Sequence, residues 1–366
     1  MMFKYWFILI ALALGIGSAK ASHSQHTDGD KDIVRGITIS THGGGQDWGQ
    51  DAIVPTLADI KTIGANWVSI HPYGRIGADG SIKFQEFDPK DPPAQLIRPI
   101  QEAHKQGLSI CIKPHIAYWR TPFQWRGEIE FDTTDEWLRF WTDYRKWILT
   151  LANACREADA FVVGTELDRT LNHEAEWRTL ITEVRSIMKV PLTYAANWTD
   201  YKRVPFWDAL DVIGIQAYFP VASKPNSTPK EIQTGWKKLM EELRSYSEKM
   251  NRKILFAELG YTLSYMAPVE PWNYHTDGEG ARLVQESCWK AALAAIDEEP
   301  CVVGALLWKW FPYPRPVGRN FALATPGVMT IIADAWEGKV PKIEISEQML
   351  KAWEDARRKR RRTRPD

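Results

Sequence analysis

The chain has 366 residues, a formal charge of zero, and 12% aromatic residues that include 18 tryptophans. That length admits two average domains or one large α/β barrel. The four cysteines, Cys111, Cys155, Cys288 and Cys301, lack the spacing of a disulfide scaffold or a zinc site, so both classes are excluded and buried free thiols are expected.

Residues 1–21 read as a cleavable leader. A short basic start precedes the apolar stretch YWFILIALALGIG, which is too short to span a bilayer, and Ala19-Lys20-Ala21 is a small-x-small cleavage site. Secretion, or release into a periplasm, is the expected fate. From residue 35 onward, short β-rich runs alternate with amphipathic segments. Strands are predicted over Arg35–Ser40, Trp67–His71, Leu108–His115, Ala160–Glu166, Leu192–Trp198, Val212–Tyr218, Ile254–Tyr261 and Val302–Trp310. Helices are predicted near 51–63, 94–106, 134–157, 173–188, 229–250 and 279–298, with shorter ones near 203–209 and 328–336. Strand–helix alternation means parallel strands joined by crossovers. Eight such units fit a (β/α)8 TIM barrel over residues 22–338, with 339–366 as a helical, basic tail. His42-Gly43-Gly44-Gly45, after the first strand, lacks the spacing of a dinucleotide-binding fingerprint.

Residues 357–366 hold seven basic and one acidic side chain. No aromatics are interleaved, so nucleic acid is not an expected partner. Weak contact of the tail with anionic surfaces is. No cofactor is implied, and a monomer is expected.

The connections show which face works. Helix-to-strand links are short, whereas strand-to-helix links three, seven and eight are long and aromatic: AYWRTPFQWRGEIEFDTT, TLSYMAPVEPWNYHTDG and FPYPRPVGRNFALATPG. Barrel active sites are built from strand-to-helix loops. Polar residues gather at all eight strand ends: His42, His71 with Tyr73, Lys113 with His115, Glu166, Asn197 with Trp198, Gln216 with Tyr218, Glu258 with Tyr261, and Trp308, Lys309 and Trp310. His71, His115 and Trp119 of the third loop are counted among the substrate contacts.

Two carboxylates stand out. Glu166 closes FVVGTE and Glu258 closes ILFAE, on strands four and seven, which face each other across an eight-stranded barrel. By alternation each glutamate shares its strand face with Val162 and Gly164, or with Ile254 and Phe256. Paired carboxyls across a crevice serve glycoside hydrolysis. One protonates the leaving oxygen and the other attacks the anomeric carbon, about 5 Å apart in retaining enzymes and about 6.5–9.5 Å in inverting ones. Two alternatives accompany this reading: a divalent-metal site on His42, His71, His115 and the glutamates, and an exported glycan-binding barrel without catalysis.

VGTELDRT, LTYAANW followed by FWDALDVIGIQAYFP, and FAELGYT resemble glycoside hydrolase family 113, the β-mannanase-like family, from about residue 35 to about residue 335. The resemblance implies a retaining endo-β-1,4-mannanase acting on a polysaccharide or oligosaccharide, with a hydrolase of another β-linked glycan as the alternative. It implies Glu166 as general acid/base, Glu258 as nucleophile, Tyr218 as the nucleophile's hydrogen-bond partner and Trp308 as the platform under the sugar in the −1 subsite. Asn197 and Trp198 would line the cleft. One departure stands beside the acid/base: Thr165 occupies a position where most of the wider clan has a sugar-binding Asn, and His71, His115 or Asn197 could take over that contact.

Overall fold

The computed structural model describes residues 33–41, 43–273, 278–312 and 321–343. The leader, His42, part of loops seven and eight and most of the basic tail lie outside that range. The described start of the tail, 339–343, is irregular rather than helical.

Eleven strands and seven helices follow in chain order: β1 (Val34–Ile39), α1 (Ile53–Thr62), β2 (Trp67–Ile70), β3 (Tyr73–Ile76), β4 (Ile82–Lys83), α2 (Ala94–Lys105), β5 (Ser109–Ile112), β6 (His115–Ala117), α3 (Thr134–Ala154), β7 (Ala160–Thr165), α4 (Glu174–Ile187), β8 (Leu192–Asn197), β9 (Ile213–Gln216), α5 (Pro229–Met250), β10 (Ile254–Leu259), α6 (Gly278–Glu298), β11 (Val302–Trp310) and α7 (Pro326–Ala335). The parallel strands β1, β2, β5, β7, β8, β9, β10 and β11 form a closed barrel, with β11 pairing back onto β1. This is the (β/α)8 TIM barrel expected from the alternation. The fifth crossover departs from it: the segment predicted as a short helix near 203–209 is two 3-10 turns, Tyr201–Arg203 and Trp207–Ala209.

Local chemistry explains the element ends. Helices α3 and α5 begin with capping boxes, Thr133 with Glu136 and Thr228 with Glu231, which satisfy otherwise orphaned amides. At the β11–β1 seam Gly304 has φ +129°, and a Cβ there would meet the Val34 carbonyl at 2.2 Å, so only glycine lets the barrel close.

Two cores result. Aliphatic and aromatic side chains fill the space between barrel and helices, whereas a smaller set, Cys111, Val162, Ala195, Ala257 and Leu306, forms the barrel interior. Most of the buried tryptophans, such as Trp147, Trp177, Trp236 and Trp289, belong to the outer core. All four cysteines are buried free thiols.

A second sheet stands above the rim. Strands β2 and β5 each stop before a proline, Pro72 and Pro114, which has no amide to donate to a ladder. The chain then re-pairs as β3 and β6, with Tyr73 opposite His115, and β4 adds an antiparallel edge. The third strand, predicted to run unbroken through His115, is thus two strands with a proline step between them.

Candidate active site

Both glutamates lie at the C-terminal rim, but not by simple alternation. Phe256 packs on Trp236 of α5, with ring centroids 6.0 Å apart, so its face looks outward. Ala257 is the interior residue. Against β9, Phe256 pairs with Ile215 and Glu258 with Gln216, so two residues of β10 oppose one. That bulge re-aims Glu258 into the crevice. Strand β7 has a matching irregularity between Val162 and Thr165. Val162 is interior, but a Cβ on Gly164 would strike Trp177 and the Tyr144 hydroxyl on the helix side. The expected shared faces of Glu258 with Ile254 and Phe256, and of Glu166 with Gly164, are therefore corrected. Glu166 itself has φ +52°, a left-handed conformation that non-glycine residues adopt at some energetic cost.

Glu258 is 4% exposed and both its oxygens are held. Lys113 Nζ lies 2.6 Å from Oε1 and also donates to the Ala257 carbonyl at 2.8 Å. The Tyr218 hydroxyl donates to Oε2 at 2.7 Å, and His115 Nε2 stands 3.4 Å from Oε1. Burial would raise the Glu258 carboxyl, but the Lys113 ammonium and His115 outweigh it and hold it well below the usual carboxylate range. Burial lowers His115 to about 3 and His71 well below its ordinary value, so both imidazoles are neutral.

Glu166 is shifted in the opposite direction. Arg126 Nη1 donates to its Oε2 at 2.7 Å. Burial raises its carboxyl, Arg126 pulls the other way, and the negative charge of Glu258 adds to the rise, leaving Glu166 above the ordinary range. The two carboxyls thus sense each other and are pushed apart in acidity.

Around this pair the structure gathers most of the predicted residues. His71 lies 5.1 Å from His115 and 5.0 Å from Trp308, and Trp308 stacks on His115 at 5.7 Å. Tyr73 approaches both histidines. Trp119 is half exposed, against Tyr73 and Tyr118. Trp198 is set apart from this group: it stacks on Trp272 at 5.8 Å and meets Phe219 at 6.0 Å. The amide of Asn197 turns to Asp168, at 3.5 Å. The hydroxyl of Thr165 donates to the Pro114 carbonyl at 3.0 Å and is buried, so it ties β7 to the proline step before His115.

Three residues beyond the predicted set belong here. Lys113 was visible only as a rim polar group. Its place two residues after interior Cys111 puts it on the inward face of β5, a signal that alternation provides. Arg126 opens a single 3-10 turn, Arg126–Glu128, within the third loop, and no sequence pattern marks it. Asp168, buried beside Glu166, has its carboxyl raised to about 8 by burial and by the charge of Asp200, and its Oδ1 has no hydrogen-bond partner among the described residues.

Among the described residues no group of three or more His, Cys, Asp or Glu side chains has the arrangement to hold a metal ion. The ammonium of Lys113 and the guanidinium of Arg126 sit on the very carboxylates that a metal would need.

Comparison with known proteins gives a consistent picture. The family model for glycoside hydrolase family 113 matches residues 37–315. The fold is similar to the β-mannanase AaManA from Alicyclobacillus acidocaldarius, solved with ManMIm, at 25% identity and a TM-score of 0.72, covering 83% of this chain and 97% of that one. A β-1,4-mannanase of the same family is similar at 20% identity and a TM-score of 0.72, covering 84% and 99%. The β-glucuronidase of Ruminococcus gnavus shares the fold at 14% identity and a TM-score of 0.58, covering 85% of this chain and 51% of that one. No curated protein matches the chain in sequence.

Proposed function

The chain belongs to glycoside hydrolase family 113 and is a glycoside hydrolase; from that premise we propose that it is a retaining endo-β-1,4-mannanase acting by double displacement. The observation that carries this reading is the opposed pKa shifts of two interacting carboxyls, Glu258 buried and Glu166 partly buried. Glu258 is kept ionised by Lys113 and Tyr218, as a nucleophile must be, and Glu166 is raised, as a general acid must be. Neutral His71 and His115, packed beside Trp308, line the crevice next to the nucleophile without adding charge. The choice of mannan rests on the family relatives, two of which are β-mannanases by name.

In the first step a Glu258 oxygen attacks the anomeric carbon, the glycosidic C–O bond breaks, and the leaving oxygen takes the Glu166 proton. In the second, water attacks the same carbon, its proton passes to Glu166, and the bond to Glu258 breaks. Trp308 offers an indole face to the pyranose C–H groups, and His71, His115, Asn197, Trp198 and Trp119 are the proposed further substrate contacts. A polymeric substrate accords with an enzyme exported by the 1–21 leader. N-terminal sequencing of exported protein should then begin at Ser22.

The test is release of reducing ends from mannan, glucomannan, cellulose, xylan and chitin by the wild type and Glu258→Ala, with the first product's anomer followed by NMR. Mannan cleavage with retained configuration, abolished in Glu258→Ala, is expected. An inverted first product, or unchanged release by Glu258→Ala, contradicts the proposal.

A further inference from the structure

Arg126 reaches Glu166 from a different element than the strand that carries it, and it is fixed at both ends. Its Nε donates to the Ile116 carbonyl of β6 at 3.2 Å, and its Nη1 donates to Glu166 Oε2 at 2.7 Å. The side chain is 13% exposed and packs over the Tyr118 ring at 5.8 Å. The contact is lopsided. Glu166 Oε2 accepts from the guanidinium, whereas Oε1 has no hydrogen-bond partner among the described residues. Because Arg126 is itself tied to β6, its N–H fixes which carboxyl oxygen it meets.

A guanidinium N–H aimed at one carboxyl oxygen repels a proton from that oxygen, because two donors then face each other. We infer that Arg126 is a positioning residue that confines the acid's proton to Glu166 Oε1, so that the proton always faces the leaving oxygen. This inference rests on the reading of Glu166 as general acid/base. In the first step the Oε1–H bond breaks as the leaving oxygen takes the proton, and the carboxylate formed is stabilised by Arg126 at Oε2. In the second step the proton from water returns to Oε1. The same cation therefore orients the acid and stabilises the base. The other charged and titratable groups near Glu166 are Glu258, Lys113, Asp168 and Tyr194; those near Arg126 are Tyr73, Tyr118, His115 and Glu258.

The experiment uses the full-length enzyme, Arg126→Met, Arg126→Lys and Glu166→Ala, with 2,4-dinitrophenyl and phenyl β-mannobiosides. Dinitrophenolate departs without a proton, whereas phenolate needs the acid. For Arg126→Met we expect kcat/KM to fall about 100-fold on the phenyl substrate, within the span of general acid catalysis, and to change little on the dinitrophenyl one. Because the guanidinium favours ionised Glu166, its loss should move the basic limb of the phenyl pH profile upward. Arg126→Lys keeps the charge and should keep that limb in place while restoring part of the rate. An equal loss on both substrates with an unmoved basic limb would overturn the inference and leave Arg126 a structural residue. Glu166→Ala separates the two levels. If it shows no leaving-group dependence, the role of Glu166 itself fails; if it does and Arg126→Met does not, only the positioning role fails. A wild type inactive on both mannobiosides overturns the mannanase reading and the inference with it.

Discussion

Lys113 Nζ stands 2.6 Å from Glu258 Oε1, and neither side chain is more than 5% exposed. An ion pair this deep is a poor source of stability by itself, since both charges lose their water. Its value lies in the state it enforces on Glu258. Lys113→Met should leave a buried carboxylate with only Tyr218 and His115, and the carboxyl should rise in pKa. The acidic limb of kcat/KM against pH is then expected to move to higher pH, with activity at neutral pH down at least about 100-fold. Breaking a buried pair costs about 3–5 kcal/mol, so a lower melting temperature should accompany it. A pH–rate profile of the variant checks this, and an unmoved acidic limb would count against Lys113 as the group that ionises Glu258.

Thr165 bears on sugar recognition. Its hydroxyl is spent on the Pro114 carbonyl, inside the fold. Thr165→Val should therefore cost about 1 kcal/mol of stability, the ordinary worth of one such bond, and leave KM on mannobiosides unchanged within a factor of about two. Kinetics and thermal unfolding of the same preparation separate the two effects. A KM rise of tenfold or more without loss of stability would mean that the hydroxyl touches substrate.

Asp168 gives a prediction about pH and stability. Burial and Asp200 raise its carboxyl to about 8. A folded pKa above the unfolded value of about 3.9 means the native state binds the extra proton. Its contribution to stability is fully present below the unfolded pKa and is lost as pH rises through about 8. Asp168→Asn mimics the protonated form at every pH. Melting curves from pH 4 to 9 should show the variant gaining on the wild type as pH rises, with the gain levelling off above about 8. A pH-independent difference would contradict it.

Trp119 is 51% exposed, its ring against Tyr73 and Tyr118 and its carbonyl accepting from Arg75 Nη1 at 3.4 Å, so its side chain does not hold the core together. Trp119→Ala should raise KM for manno-oligosaccharides by about five- to tenfold, the worth of one lost stacking contact of about 1 kcal/mol, with kcat and melting temperature unchanged. A lowered melting temperature with an unaltered KM would show a structural residue instead.

The barrel and its working face are legible in the sequence because alternation, short return links and long aromatic loops are local signals. Glu166 and Glu258 stand out for the same reason: a carboxylate at the end of an apolar strand is conspicuous. Strict alternation does not aim them inward. Phe256 and Gly164 face the helices, and bulges in β10 and β7 turn the glutamates into the crevice. A bulge depends on the pairing partner, which a single strand's sequence does not carry. Arg126 is illegible for a related reason: its contact with Glu166 spans 40 residues and arises from a short 3-10 turn inside a long loop. The small sheet of β3, β4 and β6 was read as strand tail and loop, although Pro72 and Pro114 mark its start.

That small sheet has a mechanical consequence. Because β3 and β6 continue out of β2 and β5 after two-residue steps, His71-Pro72 and Lys113-Pro114, the wall bearing Tyr73 and His115 is hydrogen-bonded masonry rather than a swinging flap. If the sugar binds on that side as proposed, discrimination there should work by refusal, and altered selectivity is better sought by carving side chains on β3 and β6 than by lengthening the turn at 77–81 that joins β3 to β4.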